Sequence, residues 1–123
     1  MGQRVKSPKI KEGFIYIISN KSFPGFYKIG VTTDIQSRLK TYQTGDPHRK
    51  YCIEYYIFHP LCYEAEKRIK EMMKYFSTDT IQRGEWFRIN INIAKARLDE
   101  TLIDYEEGLY PKEKYNKLSS GVK

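Results

Sequence analysis

Gly13-Phe14-Ile15-Tyr16-Ile17-Ile18-Ser19-Asn20 is an apolar and aromatic run that stops at two polar residues, the pattern of a strand buried in a sheet. Beyond it, Asn20-Lys21-Ser22-Phe23-Pro24-Gly25 carries the Pro-Gly signal of a hairpin loop, and Phe26 to Val31 predicts a second, antiparallel strand. Thr33-Asp34-Ile35-Gln36 has the Thr-x-x-Gln spacing of a capping box. Ile35, Leu39 and Tyr42 follow at helical spacing and predict a helix from about Asp34 to Gln43, closed by Gly45-Asp46-Pro47. Tyr51 to Phe58, rich in aromatic and β-branched residues, predicts a third strand. Leu61, Ala65, Ile69, Met72, Met73 and Phe76 mark a second helix, and after a polar loop Glu85 to Ile89 predicts a brief strand. Asn92 is the expected N-cap of a third helix carrying Ile91, Ala94, Leu98 and Leu102 and ending before Gly108. This order predicts an α/β fold: a small central antiparallel or mixed sheet of three or more strands flanked by helices.

A chain of 123 residues is long enough to bury one core and too short for two ordinary domains. Residues 1–12 read as a basic flexible tail, 13–108 as the single domain and 109–123 as a Lys-rich C-terminal tail. No apolar run approaches the roughly 20 residues of a membrane-spanning helix, so no membrane partner is expected. Two cysteines and an amino end without an apolar leader segment predict a reduced, intracellular protein, cytoplasmic or nuclear. The 22 Lys and Arg against 15 Asp and Glu, a formal charge of +7, make nucleic acid the leading partner.

Several side chains are candidates for chemistry. Strand alternation puts Tyr16 on one face of the hairpin and Lys28 with Gly30 on one face of its partner, so Tyr16 and Lys28 are potential neighbours. An ammonium there would lower the phenol's pKa and make Tyr16 a general base; packing in the sheet is the simpler role for the same tyrosine. Arg38 and Tyr42, four residues apart, project from one side of the first helix. The guanidinium suits two phosphate oxygens, or merely snorkels from the edge of an apolar stripe. Glu66 aligns with Cys62, Ile69 and Met73, a semi-apolar row where a carboxylate pairs with a cation or holds a hard metal such as Mg²⁺. Lys67, Lys70 and Lys74 form a separate row suited to solvent or phosphate, and with Lys40, Arg49 and Lys50 they are the candidate nucleic-acid contacts. His48, Cys52, His59 and Cys62 contain no Cys-x-x-Cys knuckle, which makes them a weak zinc signal.

Taken in order, Gly13-Phe14-Ile15-Tyr16, Tyr27-Lys28-Ile29-Gly30, Arg38 with Tyr42, and Glu66 resemble the motifs of the GIY-YIG endonuclease superfamily. With Gly84-Glu85-Trp86-Phe87 and the Lys-Ile-Gly form of the second motif, the chain looks like the branch frequent in phages and large DNA viruses. The resemblance spans roughly Gly13 to Ile89. It implies Mg²⁺- or Mn²⁺-dependent hydrolysis of phosphodiester bonds in DNA, with branched or single-stranded forms and RNA left open. It makes Tyr16 the general base, Arg38 the phosphate-stabilising residue, Glu66 the metal ligand and Tyr42 the residue one turn after the arginine. Phe14 replaces the first glycine of the eponymous motif, and Lys28 stands where the second motif has its tyrosine. Asn90 is the candidate for a late asparagine common in the superfamily. Glu85 is open to two roles, a second acidic contributor or the partner of a base, with Trp86 and Phe87 sealing the core. The competing reading is a nucleic-acid-binding module on the same fold that does not cut.

Overall fold

The computed structural model describes residues 12–110. Except for Glu12, the expected N-terminal tail lies outside them, as does the C-terminal tail from residue 111 onward. In chain order the elements are β1 (Gly13–Asn20), β2 (Phe26–Thr32), α1 (Ile35–Thr44), β3 (Tyr51–His59), α2 (Cys62–Phe76), β4 (Asp79–Ile81), β5 (Trp86–Arg88) and α3 (Ile91–Glu106). The five strands form one sheet in the order β3-β1-β2-β5-β4, with every neighbouring pair antiparallel. That is the fold class expected from the sequence.

β1 sorts its side chains by parity. Ile15 and Ile17 point to the face covered by α2 and α3, where they pack with Ile29, Ala65, Ile69, Met73, Ala94 and Leu98 in the larger core cluster. Each such side chain, fully buried, contributes about 2 kcal/mol or less for alanine. Tyr16 and Ile18 point to the other face and pack with Phe26 and Trp86, against Ile35, Leu39 and Tyr42 of α1.

Four local expectations are corrected. The N-cap of α1 is Asp34, whose carboxylate accepts from the Ser37 backbone N–H at 3.0 Å; Thr33 makes no capping box, because the aspartate reaches the third helical N–H itself. The N-cap of α3 is Asn90, which accepts from the N–H of Asn92 at 2.8 Å, so Asn92 lies one residue inside the helix. β4 occupies part of the expected polar loop. Asp79 and Thr80 are exposed there, so no apolar alternation marks the strand, and pairing with β5 creates it. Tyr110, assigned to the C-terminal tail, is buried: its ring lies 5.6 Å from that of His59, with the Arg68 guanidinium 3.8 Å over it.

α1 buries none of its residues fully, so polar clasps hold it in place. The Gln43 side chain donates to the Tyr51 carbonyl at 3.0 Å and accepts from the Tyr51 N–H at 3.1 Å, tying the helix end to the start of β3. Asp46, just beyond the helix, accepts from the N–H groups of His48 and Lys50 and from the side chain of buried Asn20. These bonds hold the Asp46 carboxyl below its ordinary pKa, the Lys50 N–H contributing most.

Candidate functional site

Tyr16 lies at the centre of the α1 side of the sheet. It is 2% exposed, and it pairs across β1 and β2 with Gly30. The glycine is required by close approach. A Cβ at position 30 would run into the Tyr16 ring and hydroxyl, so the tyrosine lies across β2 over the space that Gly30 leaves. Its hydroxyl is 3.3 Å from that of Tyr42, whose ring meets it edge-on at 6.4 Å. Tyr42 is held from behind by Tyr51, at 5.0 Å between ring centres, and Tyr51 in turn lies 6.2 Å from Trp86. An aromatic stack therefore fixes the two hydroxyls relative to each other.

Burial raises the Tyr16 phenol above its ordinary pKa, and the hydrogen bond and charge of Tyr42 raise it further. Arg38 acts on the same hydroxyl in the lowering direction and Glu66 in the raising direction. Both groups, one from α1 and one from α2, are thus within electrostatic range of the hydroxyl. α2 lies mainly on the opposite face. β5 pairs only with Phe26 and Tyr27, so beyond them no strand among the described residues is paired with that edge of β2.

Lys28 does not take the expected part. It shares the sheet face of Tyr16, but its ammonium is bonded to the Glu85 carboxylate at 3.0 Å and sits 5.8 Å from the centre of the Tyr42 ring. Burial alone would lower the Lys28 pKa; Glu85 and Tyr42 outweigh it, and the net shift is upward. Its charge is thereby spent, and the Tyr16 phenol is raised rather than lowered. Glu85 is held below its ordinary value, first by the bond to Lys28 and then by that charge, with Lys70 and Arg83 adding to it. Of the two roles open to Glu85, pairing with a base is the one seen.

Glu66 bonds Lys70 at 3.0 Å one turn along α2, with the glutamate side chain 19% and the lysine 43% exposed. Lys70 therefore joins the Glu66 group instead of extending the row of Lys67 and Lys74, which are exposed. The pair opens to solvent, so the lysine can leave the carboxylate without unfolding the helix. Lys40 and Arg49 are exposed and Lys50 is half-buried; Arg49 donates to the Gln43 carbonyl at 3.0 Å, which fixes it beside the C-terminal end of α1.

Of the four zinc candidates, His59 is enclosed, with Nε2 3.1 Å from the Thr101 carbonyl and Nδ1 accepting from the Leu61 N–H at 2.9 Å. Cys52 is exposed, whereas Cys62 is buried and would touch a side chain placed at Gly13. Among the described residues no three His, Cys, Asp or Glu side chains gather into a metal-ligating group. Asn90 is occupied as a helix cap. A groove of about 370 Å³ lies elsewhere, between α2 and α3, lined by Arg68, Tyr75, Arg97 and Asp104 among others; it shares no residue with the tyrosine site.

Gln43, Tyr51 and Gly30 were not singled out as site residues in the sequence. Gly30 had the clearest signal, a glycine opposite an aromatic in a predicted hairpin. Gln43 and Tyr51 act only through tertiary contacts.

A two-faced antiparallel sheet with hydroxyls, a guanidinium and a carboxylate grouped at one side, on a strongly basic chain, has the character of a nuclease-related or DNA-binding module. The family comparison agrees: residues 13–102 match the T5orf172 domain, and the chain belongs to that phage-associated, nuclease-related family, with nucleic acid as the partner class. Nothing among curated proteins and nothing among solved structures matches it. Among the described residues no helix is long and apolar enough to cross a membrane.

Proposed function

We propose that this protein is a divalent-metal-dependent DNA endonuclease of the GIY-YIG kind. The observation that carries the reading is the Tyr16 and Tyr42 hydroxyl pair, 3.3 Å apart, under the opposed influence of Arg38 and Glu66 from two different helices. In this account water attacks the phosphorus, its proton passes to the Tyr16 oxygen, and the ester bond on the far side of the phosphorus breaks, its oxygen departing with the bonding pair and taking a proton from solvent. Arg38 takes the charge that develops on the phosphate oxygens. Tyr16 must first release its own proton, and Tyr42 offers the path outward to solvent. Lys28 and Glu85 act as a bonded pair that supports Tyr42.

Glu66 suits Mg²⁺ or Mn²⁺, because a hard cation of this size is commonly bound through one or two carboxylates together with waters and substrate oxygens. A bound divalent ion would supply charge neutralisation at the phosphate. Lys70 must release the carboxylate for that purpose, and its exposure allows it.

The test is nicking of supercoiled plasmid with Mg²⁺ or Mn²⁺. Wild-type protein is expected to nick only when the metal is present, with a rate that climbs through pH 7 to 9 because the Tyr16 proton is held above its ordinary value. Glu66→Ala should lower the rate by a hundredfold or more, on the order of a lost group in the transition state. Unchanged nicking by Glu66→Ala would refute the assignment of that carboxylate.

A second reading has its own support. The firmly held Tyr16 proton and the Glu66–Lys70 pair also suit a module that binds nucleic acid without cutting. In the same assay it would shift plasmid mobility and leave the plasmid intact under every metal and pH.

A further inference from the structure

The sheet face that holds Tyr16 does not end at α1. Phe14 precedes Tyr16 on that face, and β3 places Phe58 opposite Phe14 and Tyr56 opposite Tyr16. Phe14 meets Tyr56 edge-on at 5.7 Å and Phe58 at 5.6 Å. Tyr56 is 51% exposed and Phe58 46%. None of the three belongs to either core cluster, so the rings rest on one another, and α1 leaves them uncovered. Two large rings left half exposed forgo burial worth about 1 kcal/mol each.

From this row we infer a stacking platform for the unpaired bases of a DNA strand whose phosphate lies at the Tyr16 site. The inference rests on the nucleic-acid reading above and adds to it the form of DNA that is held. Tyr56 adjoins Tyr16 across the sheet, so a base on its ring belongs to a nucleotide next to the phosphate beside Arg38. Phe58 lies one pleat further, about 6.7 Å along the strand. That is twice the 3.4 Å step between stacked bases in a duplex strand. An extended single strand can lay successive bases on the two rings, and a duplex, with its bases already stacked inside, cannot. The 14 Lys and Arg of residues 12–110 are balanced by 14 Asp and Glu, so the chain's excess of +7 belongs to the sequence at its two ends, where it draws a polyanion to the molecule as a whole.

β3 is an edge strand, which raises the alternative of strand pairing between two copies. Its own sequence blunts that edge. The register slips between Ile17 and Ile18, so that Tyr55 and Ile53 find partners and Glu54 between them does not. A bulge with an exposed charge is a device that discourages edge-to-edge pairing.

The experiment measures binding of the full chain by fluorescence anisotropy, with divalent ions chelated so that nothing is cut. Three probes serve: an oligothymidylate of about 12 nucleotides, within the site sizes of stacking proteins, an abasic oligonucleotide of the same length and charge, and a duplex of that length. Wild-type protein should prefer oligothymidylate to the abasic chain. The Tyr56→Ala/Phe58→Ala double variant should bind oligothymidylate at least about tenfold more weakly while its abasic and duplex affinities stay level. Tyr56→Phe/Phe58→Tyr, which keeps both rings, should restore the preference. A melting scan of each variant checks that the fold survives.

An equal loss on all three probes, or no loss on oligothymidylate, overturns the platform and leaves the nuclease proposal standing. A wild-type dimer that the double variant converts to monomer also overturns it, because the face then holds a second copy. Failure of wild-type protein to bind any probe would defeat the nucleic-acid reading itself.

Discussion

Neighbouring residues of β1 do opposite work. Ile15 and Ile17 enter a face sealed by two helices, where almost every contact is apolar and the fold's stability is concentrated. Tyr16, between them, enters a face covered by one helix with no fully buried residue. There the packing consists of aromatic rings, their hydroxyls, and charges at the rim. One strand thus anchors the molecule with one parity and presents polar groups with the other. A well-sealed face can hold a less stable, chemically loaded one in place. The price is a buried phenol with a proton it holds tightly.

The largest difference between the faces should appear on truncating one residue of each. Ile17→Ala opens a cavity in the sealed face and should cost about 3 kcal/mol in urea unfolding. Its remaining folded fraction should nick at the wild-type rate. If Ile17→Ala abolished nicking in protein that is still folded, the division of labour along β1 would be wrong.

A smaller effect is expected where the two strands cross at the site. Gly30→Ala sets a methyl against the Tyr16 ring and hydroxyl and should cost roughly 1–3 kcal/mol as an overpacked position. It should also change near-ultraviolet circular dichroism from the tyrosines, since Tyr16 must move. An unchanged aromatic signal would mean that Tyr16 does not lie over Gly30.

The sealed face carries one titratable group whose effect is smaller again. Burial, with the Arg68 charge adding to it, lowers the His59 pKa, while the Thr101 carbonyl opposes them. Because Nδ1 accepts from the Leu61 N–H, the neutral ring with its proton on Nε2 fits the site. The Tyr110 hydroxyl, 3.3 Å from Nε2, completes its surroundings. Above the unfolded value of about 6.5 both states are neutral and the full stability is present. As pH falls below it the unfolded chain takes up the proton first, and stability declines toward the folded pKa. The melting temperature should therefore drop between pH 7 and pH 5, and drop less in His59→Gln. An equal fall in both proteins would remove His59 from the account.

The same contrast explains what could be read in the sequence. Apolar periodicity located β1, β2, β3 and all three helices, because each buries a regular face. It missed β4, whose residues are mostly exposed, and it misplaced two caps, because several neighbouring Asp, Asn and Thr side chains compete for the same N–H groups. At the site, order and spacing pointed to Tyr16, Arg38, Tyr42 and Glu66, and the first three face the same region from two elements. The partner of Lys28 was not legible. That choice depends on β5 setting Glu85 beside β2, a tertiary fact with no local signature. Tyr110 was lost for a similar reason: a single tyrosine in a polar stretch gives no period, although His59 and Arg68 hold it.

Whether Tyr16 works through its hydroxyl or only through its ring is decided by measuring plasmid nicking and thermal melting together on Tyr16→Phe. Removing one oxygen leaves the ring, the clearance over Gly30 and the stack on Tyr42 in place. The account predicts a melting temperature within a few degrees of wild type and nicking reduced at least about a hundredfold, the typical size of a lost acid–base group. Wild-type nicking by Tyr16→Phe would contradict it.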